Sequence, residues 1–85
     1  MRKIWSDNSW EEYISWQTED KKTLKRINAL IKDIEVNGVL KGIGKPEALK
    51  HDLSGWYSRR IDETNRLVYR IIDDSIEISH SKNHY

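Results

Sequence analysis

All four glycines of this chain and its only proline lie between residues 38 and 55, and this segment separates two halves with different hydrophobic periods. Before it, apolar residues recur at every third or fourth position, which is the period of an amphipathic helix. After it, apolar and polar residues alternate in short runs, which is typical of strands. Helices followed by strands predict an α+β domain in which one face of a sheet packs against the helices.

The first helix is predicted from a capping signal that follows a short strand over residues 3–5. Ser9 and Glu12 have the Ser-x-x-Glu form of a capping box, so we expect a helix that begins at Ser9 and ends near Gln17. Its apolar stripe consists of Trp10, Tyr13 and Ile14.

The second helix is expected to begin after Thr18. This residue precedes Glu19 and Asp20, as an N-cap precedes acids at the positive end of a helix dipole. Apolar residues then recur at helical spacing, and these are Leu24, Ile27, Leu30, Ile31 and Ile34. The pair at positions 37 and 38, Asn-Gly, predicts the end of this helix.

The second half of the chain is predicted to form an antiparallel meander. Alternating runs predict strands over residues 56–61, 66–72 and 75 to about 82, joined by short polar turns. Residues 38–55 are expected to be a loop with at most a helical turn around 48–51. With the N-terminal strand added to the sheet, one face packs on the helices and the other is left to bind a ligand.

Composition limits the classes of protein that fit. A chain of 85 residues predicts a single domain over residues 1–85, and the lack of cysteine removes disulfides and is compatible with a reducing cytoplasm. No apolar run approaches the roughly 20 residues of a membrane span, and no signal peptide is recognised, so we expect a soluble cytoplasmic protein. The net charge is only +1, but residues 38–72 carry seven Lys/Arg against four Asp/Glu. We therefore expect a phosphate-facing surface there.

A small set of residues would suffice to cleave RNA through its own 2′-hydroxyl. Such cleavage needs a base for that hydroxyl, an acid for the departing 5′-oxygen and positive charge at phosphorus, and each proton transfer contributes about 10²- to 10⁴-fold. Glu47 is the candidate base, and His84 is the candidate acid because imidazole exchanges protons near neutral pH. Arg66 is the candidate cation because its planar fork matches phosphate oxygens. Further candidate cations are Lys45, Lys50 and Arg60.

Structural roles fit some of the same residues. Glu47 has the position of an ordinary first-turn carboxylate, and Arg66 is placed to pair with Asp62 or Glu63 across a turn. Successive strand residues point to opposite faces, so one of Arg59 and Arg60 is expected to be solvated or salt-bridged whatever the other does.

The aromatic and histidine residues leave similar alternatives. Trp56 and Tyr85 fit either packing or base stacking, and His84 with Tyr85 also fits the edge of a dimer. His80, in phase with two isoleucines, is expected to be a half-buried histidine with a hydrogen-bond partner. His80 and His84 have metal-ligand spacing only on a helix, which the alternation opposes, and no metal or cofactor is predicted.

Several motifs together resemble one family. They are Ile4-Trp5-Ser6, Trp16-Gln17, the run from Arg26 to Asp33, the run from Gly44 to Lys50, the run from Leu53 to Ile61, the run from Asn65 to Tyr69, and the terminal His84-Tyr85. On these motifs, over the whole length, the chain closely resembles the YoeB toxins of the RelE-like superfamily. The resemblance implies a microbial-ribonuclease-like α+β fold with two N-terminal helices on a small, mainly antiparallel sheet.

The resemblance also implies an activity and partners. It implies a toxin of a type II toxin–antitoxin system that enters the ribosomal A site, against 16S rRNA, and cleaves messenger RNA there. A YefM-type antitoxin would neutralise it, and a homodimer is expected. By the same resemblance Glu47 is the general base, His84 the general acid and Arg66 the transition-state cation. Tyr85 then orients RNA or the acid, and Lys50 and Arg60 are supporting phosphate contacts.

The chain departs from the family pattern near two of these residues. Ala48 stands where a second proline is common, and the loop before Gly42 is one residue longer than usual, which affects how Glu47 is presented. Thr64-Asn65 replaces a more charged pair before Arg66. The competing hypothesis is a toxin of the same fold that inhibits a protein target such as gyrase without chemistry, as ParE-type toxins do.

Overall fold

The computed structural model describes residues 1–82, and its first helix begins earlier than predicted. Strand β1 is Arg2–Trp5 and helix α1 is Asp7–Glu19. The Ser6 hydroxyl accepts a hydrogen bond from the Ser9 N–H at 3.0 Å, and the Ser9 hydroxyl accepts one from the Ser6 N–H at 2.9 Å. The N-cap is therefore Ser6, so the predicted start at Ser9 is wrong, and the helix ends at Glu19, two residues after the predicted end near Gln17. Capping at Ser6 gives the fully buried Ser9 hydroxyl its partners.

Helix α2, Lys21–Asn37, is capped by Asp20. The Asp20 carboxylate accepts hydrogen bonds from the N–H groups of Lys22 at 3.0 Å and Thr23 at 3.4 Å, and from the Thr23 hydroxyl at 2.9 Å. These bonds, first of all those from Thr23, lower the pKa of Asp20. The predicted N-cap, Thr18, lies inside α1, where its hydroxyl donates to a carbonyl one turn earlier. A charged carboxylate that accepts several donors is a stronger cap than that hydroxyl.

The predicted end of α2 and its apolar stripe are confirmed. Gly38 has φ of 88°, and its N–H donates to the Ile34 carbonyl at 2.9 Å. The stripe is at most 7% exposed at Ile27, Leu30, Ile31 and Ile34. It packs with Trp16 of α1 and with the sheet residues Leu67, Tyr69, Ile76 and Ile78. The core therefore lies between the two helices and one face of the sheet.

Four further strands complete one sheet: β2 (Glu47–Ala48), β3 (Tyr57–Arg60), β4 (Arg66–Ile72) and β5 (Ser75–His80). The order is β1–β5–β4–β3–β2; β1 runs parallel to β5, and the other neighbours are antiparallel. The predicted α+β fold, with two N-terminal helices on a mainly antiparallel sheet joined by the N-terminal strand, is confirmed. Neither helix of the described residues is long and apolar enough to cross a membrane.

Strand β4 has its predicted bounds, whereas β3 and β5 are shorter than predicted. The β5 ladder ends at His80 because the next N–H, that of Ser81, donates instead to the Glu12 carboxylate of α1 at 2.8 Å. The Glu12 side chain thus takes the place of a backbone acceptor on a neighbouring strand for the Ser81 N–H.

The loop after α2 contains a short strand rather than the predicted helical turn around 48–51. Strand β2 pairs antiparallel with β3, and the Leu49 N–H donates to the Trp56 carbonyl at 2.9 Å. Only afterwards does a 3-10 turn form, at His51–Leu53. The backbone groups of residues 47–49 form hydrogen bonds with β3 and with Trp56 just before it. In a helical turn, these groups would instead bond to residues within the turn.

Alternation along the strands gives the sheet two faces. One face packs on the helices and buries Leu67 and Tyr69 completely. We call the other the open face; its side chains include Glu47, Ser58, Arg60, Arg66 and Arg70.

Candidate active site

Strand register brings Glu47 and Arg66 together on the open face. Glu47 of β2 lies opposite Ser58 of β3, and Arg60 of β3 lies opposite Arg66 of β4. Ser58 and Arg60 are two positions apart on one strand, so their side chains share a face. Two residues far apart in sequence thus meet across β3.

The contact between Glu47 and Arg66 is long and partly exposed. The Glu47 Oε1 atom lies 3.8 Å from Arg66 Nη1, and the two side chains are 54% and 24% exposed. Arg66 Nη1 also donates a long hydrogen bond, 3.4 Å, to the Ser58 hydroxyl. The pair combines a carboxylate that can accept a proton with a guanidinium that can hold an anion.

The turn before β4 determines where Arg66 enters the sheet. Asp62, one of the alternative partners considered from sequence, accepts hydrogen bonds from the N–H groups of Thr64 at 2.8 Å and Asn65 at 2.6 Å. Partial burial raises the pKa of Asp62, but the hydrogen bonds from Asn65 and Thr64 outweigh this and lower it overall. Asp62 therefore shapes the turn, and Arg66 reaches across the sheet to Glu47.

The other predicted cations are exposed and lie around Glu47. Lys45 is two residues before it and has φ of 50°, and Lys50 is three residues after it, where the 3-10 turn begins. Arg60 is exposed opposite Arg66. Exposed cations around a carboxylate suit a phosphate backbone, which binds mainly through Lys and Arg. Their role in RNA binding stays a prediction.

Arg59, next to Arg60, is fully buried and forms an ion pair with Asp33 of α2. The prediction that one of the two adjacent arginines is solvated or salt-bridged is confirmed, in the form of this ion pair. The other arginine is left to the open face.

An aromatic residue lies beside this site on the open face. The Arg70 guanidinium lies 4.3 Å from the centre of the Trp56 ring and donates to Glu77 Oε1 at 2.9 Å. Trp56 is half-buried and is therefore a packing partner of Arg70.

The candidate acid and the terminal aromatic, His84 and Tyr85, lie outside the described residues, and their predicted roles stay predictions. The last described residue, Lys82, is anchored to α1: its ammonium donates to Glu19 Oε2 at 2.6 Å and to the Ser15 hydroxyl at 3.0 Å.

Ser58 is a site residue that sequence reasoning did not single out. It is fully buried, lies opposite Glu47 and accepts from Arg66. Its position two residues before Arg60 was the available signal, because this spacing places both side chains on one face.

No cluster of three potential metal ligands occurs within residues 1–82. His80 has the partner expected of it, since its Nδ1 lies 2.8 Å from the Ser79 hydroxyl. A cavity of about 420 Å³ lies between β1, α1 and α2, where Trp5, Trp10 and Tyr13 line it, away from Glu47.

Comparison with known proteins identifies the family. Residues 5–85 match the family described as the YoeB-like toxin of bacterial type II toxin–antitoxin systems. The chain is 52% identical over 85 residues to Toxin YoeB of Escherichia coli K12, and the alignment covers all of both chains.

Solved structures agree with the sequence match. A heterotetrameric YoeB–YefM complex from Staphylococcus aureus contains a chain with a TM-score of 0.94 and 48% identity, covering 100% of this chain and 98% of that one. A YoeB dimer from the same organism has the same TM-score, identity and coverage. The chain belongs to the YoeB-like toxins of bacterial type II toxin–antitoxin systems.

Proposed function

We propose that this toxin is a ribosome-dependent endoribonuclease that cleaves messenger RNA in the ribosomal A site, against 16S rRNA, and so inhibits translation. The observation that carries the proposal is the Glu47–Arg66 pair, a carboxylate and a guanidinium 3.8 Å apart that are 54% and 24% exposed. A toxin that only blocked a protein target would need no such pairing of proton acceptor and anion holder.

In the proposed reaction Glu47 takes the proton of the ribose 2′-hydroxyl. The 2′-oxygen then forms a bond to phosphorus, and the bond from phosphorus to the 5′-oxygen breaks. His84 gives its proton to that departing oxygen, so a cyclic phosphate and a free 5′-hydroxyl result. Arg66 stabilises the charge that develops on the phosphoryl oxygens, a contribution of about 10²- to 10³-fold for one such donor. Tyr85 orients the RNA or the acid.

The remaining proposed contacts are electrostatic. Lys45, Lys50 and Arg60 are exposed near Glu47 and hold the phosphates that flank the cut. Positioning by several phosphates also explains a need for the ribosome, which presents the message in one fixed geometry.

The proposed partners follow from the relatives. The S. aureus YoeB chain forms a heterotetramer with YefM and also a dimer, so we propose a YefM-type antitoxin and a homodimer for this chain. Action on translating ribosomes places the protein in the cytoplasm.

The test is cleavage of a defined message by purified protein, with and without ribosomes, mapped by primer extension. We expect cuts within translated codons only when ribosomes are present. Glu47→Gln and His84→Gln should each lower the rate about 10²- to 10⁴-fold. Glu11→Gln is the matched control, because Glu11 is an exposed glutamate of α1, on the other side of the sheet from the open face.

Two results would contradict the proposal. Message left intact by the wild type, together with stalled replication in cells, would indicate a gyrase-type inhibitor. Wild-type cleavage by Glu47→Gln would show that Glu47 is not the base.

A further inference from the structure

The core beneath the candidate site contains an arginine with all its donors in use. Arg59 is 0% exposed, and its five N–H groups serve five partners. Nε donates to the Tyr69 hydroxyl at 2.9 Å, and Nη1 forms the ion pair with Asp33. A buried guanidinium costs desolvation energy, and an apolar side chain of similar volume often stabilises a core as well or better. Stability alone therefore does not explain why an arginine occupies this buried position.

The remaining donors of Arg59 all bind one loop, residues 38–44. Nη1 donates to the Ile43 carbonyl at 3.1 Å. Nη2 donates to the carbonyls of Gly38 and Lys41, each at 2.7 Å. The loop is thus wrapped around the guanidinium.

Both side-chain partners of Arg59 bind the same loop. The Asp33 carboxylate accepts from the Ile43 N–H at 3.1 Å, and the Tyr69 hydroxyl donates to the Val39 carbonyl at 2.6 Å. Hydrogen bonds from Arg59, then from Ile43 and Asn37, lower the pKa of Asp33, which keeps this carboxylate charged. The three side chains form one closed network around residues 38–44, and we call it the Arg59 network.

This loop leads directly into the residues of the site. The Gly44 carbonyl accepts from the Arg60 N–H at 2.7 Å, Lys45 follows, and Glu47 then pairs with Ser58. Strand β3 is therefore the common frame. On its inner side Arg59 holds the loop, and along its edge β2 carries Glu47 towards Arg66.

We propose that Arg59 is a positioning residue for catalysis: its guanidinium fixes loop 38–44, which sets Lys45 and Glu47 in place against Arg66 without itself contacting RNA. This inference rests on the proposed nuclease function. Misplacement of a catalytic group by about 1 Å can cost about 10²-fold in rate, so a loosened loop should show in the chemical step.

The test is single-turnover cleavage of message on programmed ribosomes, with the toxin varied to give both a maximal rate and a half-saturating concentration. Arg59→Lys keeps a charge but lacks the fork, and we expect its maximal rate to fall about 10²-fold. Tyr69→Phe removes one hydroxyl of the Arg59 network, and we expect its maximal rate to fall about 10-fold. The half-saturating concentration should stay within about 3-fold of the wild type, because a positioning residue does not bind the ribosome.

Two matched measurements separate positioning from general stability. Tyr13→Phe also deletes a hydrogen-bonded tyrosine hydroxyl, which donates to Asn28 at 2.7 Å far from the loop, and it should cleave at the wild-type rate. Hydrogen exchange should show faster exchange of the Ile43 amide in the two network variants, while amides in the middle of α2 keep their protection. If Arg59→Lys does not fold, Tyr69→Phe carries the test.

Each outcome has one meaning. Wild-type maximal rates in Tyr69→Phe and Arg59→Lys, with the Ile43 amide exposed, overturn the positioning role and leave the nuclease function standing. A change confined to the half-saturating concentration also overturns it, since the loop would then act in binding. A wild-type protein that does not cleave at all overturns the nuclease function, and the positioning role falls with it.

Discussion

The sheet carries an arginine–carboxylate pair on each face, and the two pairs differ in separation and in burial. The inner pair, Arg59 and Asp33, is in direct contact, with side-chain exposures of 0% and 18%. The outer pair, Arg66 and Glu47, is 3.8 Å apart, with exposures of 24% and 54%. The inner pair is closed by its own hydrogen bonds, whereas the outer pair is longer and partly exposed.

The difference follows from a single strand. Arg59 is flanked on β3 by Ser58 and Arg60, so consecutive residues point alternately to the core and to the open face. Buried ion pairs are costly to break, and exposed ones contribute little to stability. The same side-chain chemistry therefore stabilises the fold on one face, and on the other face we propose that it serves catalysis.

The largest effect is expected from Arg59→Leu, which removes the inner guanidinium. It leaves the Asp33 carboxylate and three loop carbonyls without their partner, and we expect the free energy of unfolding to fall by about 3–5 kcal/mol. Urea unfolding followed by circular dichroism measures this.

The inner comparison is sharpened by a second substitution in the same protein. Replacing Asp33 as well, in Asp33→Leu/Arg59→Leu, should recover part of the loss because no unpaired carboxylate remains. A double variant less stable than Arg59→Leu would show that the charge pairing is not what stabilises the inner face.

Arg66→Gln is expected to have the next largest effect, and on rate rather than stability. Cleavage should slow about 10²- to 10³-fold because the variant lacks the cation that we propose stabilises the phosphoryl charge. The free energy of unfolding should change by less than about 1 kcal/mol, as for other exposed ion pairs. Single-turnover cleavage and urea unfolding are the measurements.

Arg70→Gln is the control for that prediction. Arg70 lies on the same open face and forms an ion pair with Glu77, but it is not part of the Glu47 pair. If both variants slow cleavage equally, general positive charge on this face, and not the outer pair, governs the reaction.

A glycine comparison tests how tightly the loop closes on the inner pair. At Gly42, φ is 118° and an added Cβ would lie 1.8 Å from Asp33 Oδ2, whereas at Gly38, φ is 88° and nothing lies within 4 Å. Both changes to alanine introduce backbone strain of about 1–3 kcal/mol. Gly42→Ala should lose about 1–3 kcal/mol more than Gly38→Ala, because it also overpacks the Arg59 network. Equal losses in the free energy of unfolding, measured with urea, would mean that the Asp33 side chain moves away from the added methyl group at no cost in stability.

Sequence alone predicted the elements better than their junctions. The bounds of β4 and the end of α2 follow from alternation and from Asn-Gly, which are strong local signals. The caps were misassigned because Ser6, Ser9, Thr18 and Asp20 are all competent caps, and tertiary contacts decide among them. The two-residue strand β2 has no period of its own and exists only through its pairing with β3.

The candidate site divides in the same way. Alternation predicts that Arg59 and Arg60 point to opposite faces but does not say which face is buried, because both are arginines. The approach of Glu47 to Arg66 depends on the register of three strands, which the local sequence of neither residue specifies. The network around Arg59 joins a helix, a loop and two strands, and no sequence spacing reports it.

The smallest expected effect is a change in how stability depends on acid, and it concerns the inner pair. The folded pKa of Asp33 lies below its ordinary value of 3.8, so this carboxylate stabilises the fold above that pH, and its contribution is lost as pH falls through the folded pKa. Asp33→Asn should therefore be less stable than the wild type at neutral pH, and the difference should shrink below about pH 4 as the wild-type carboxyl becomes protonated. Within residues 1–82, Asp20, Glu35 and Asp62 also have lowered pKa values, but both proteins carry them, so their acid sensitivity cancels in the difference. Urea unfolding of both proteins from pH 7 to pH 2 measures the difference, and a gap that stays constant with pH would show that the charge on Asp33 does not hold the inner pair together.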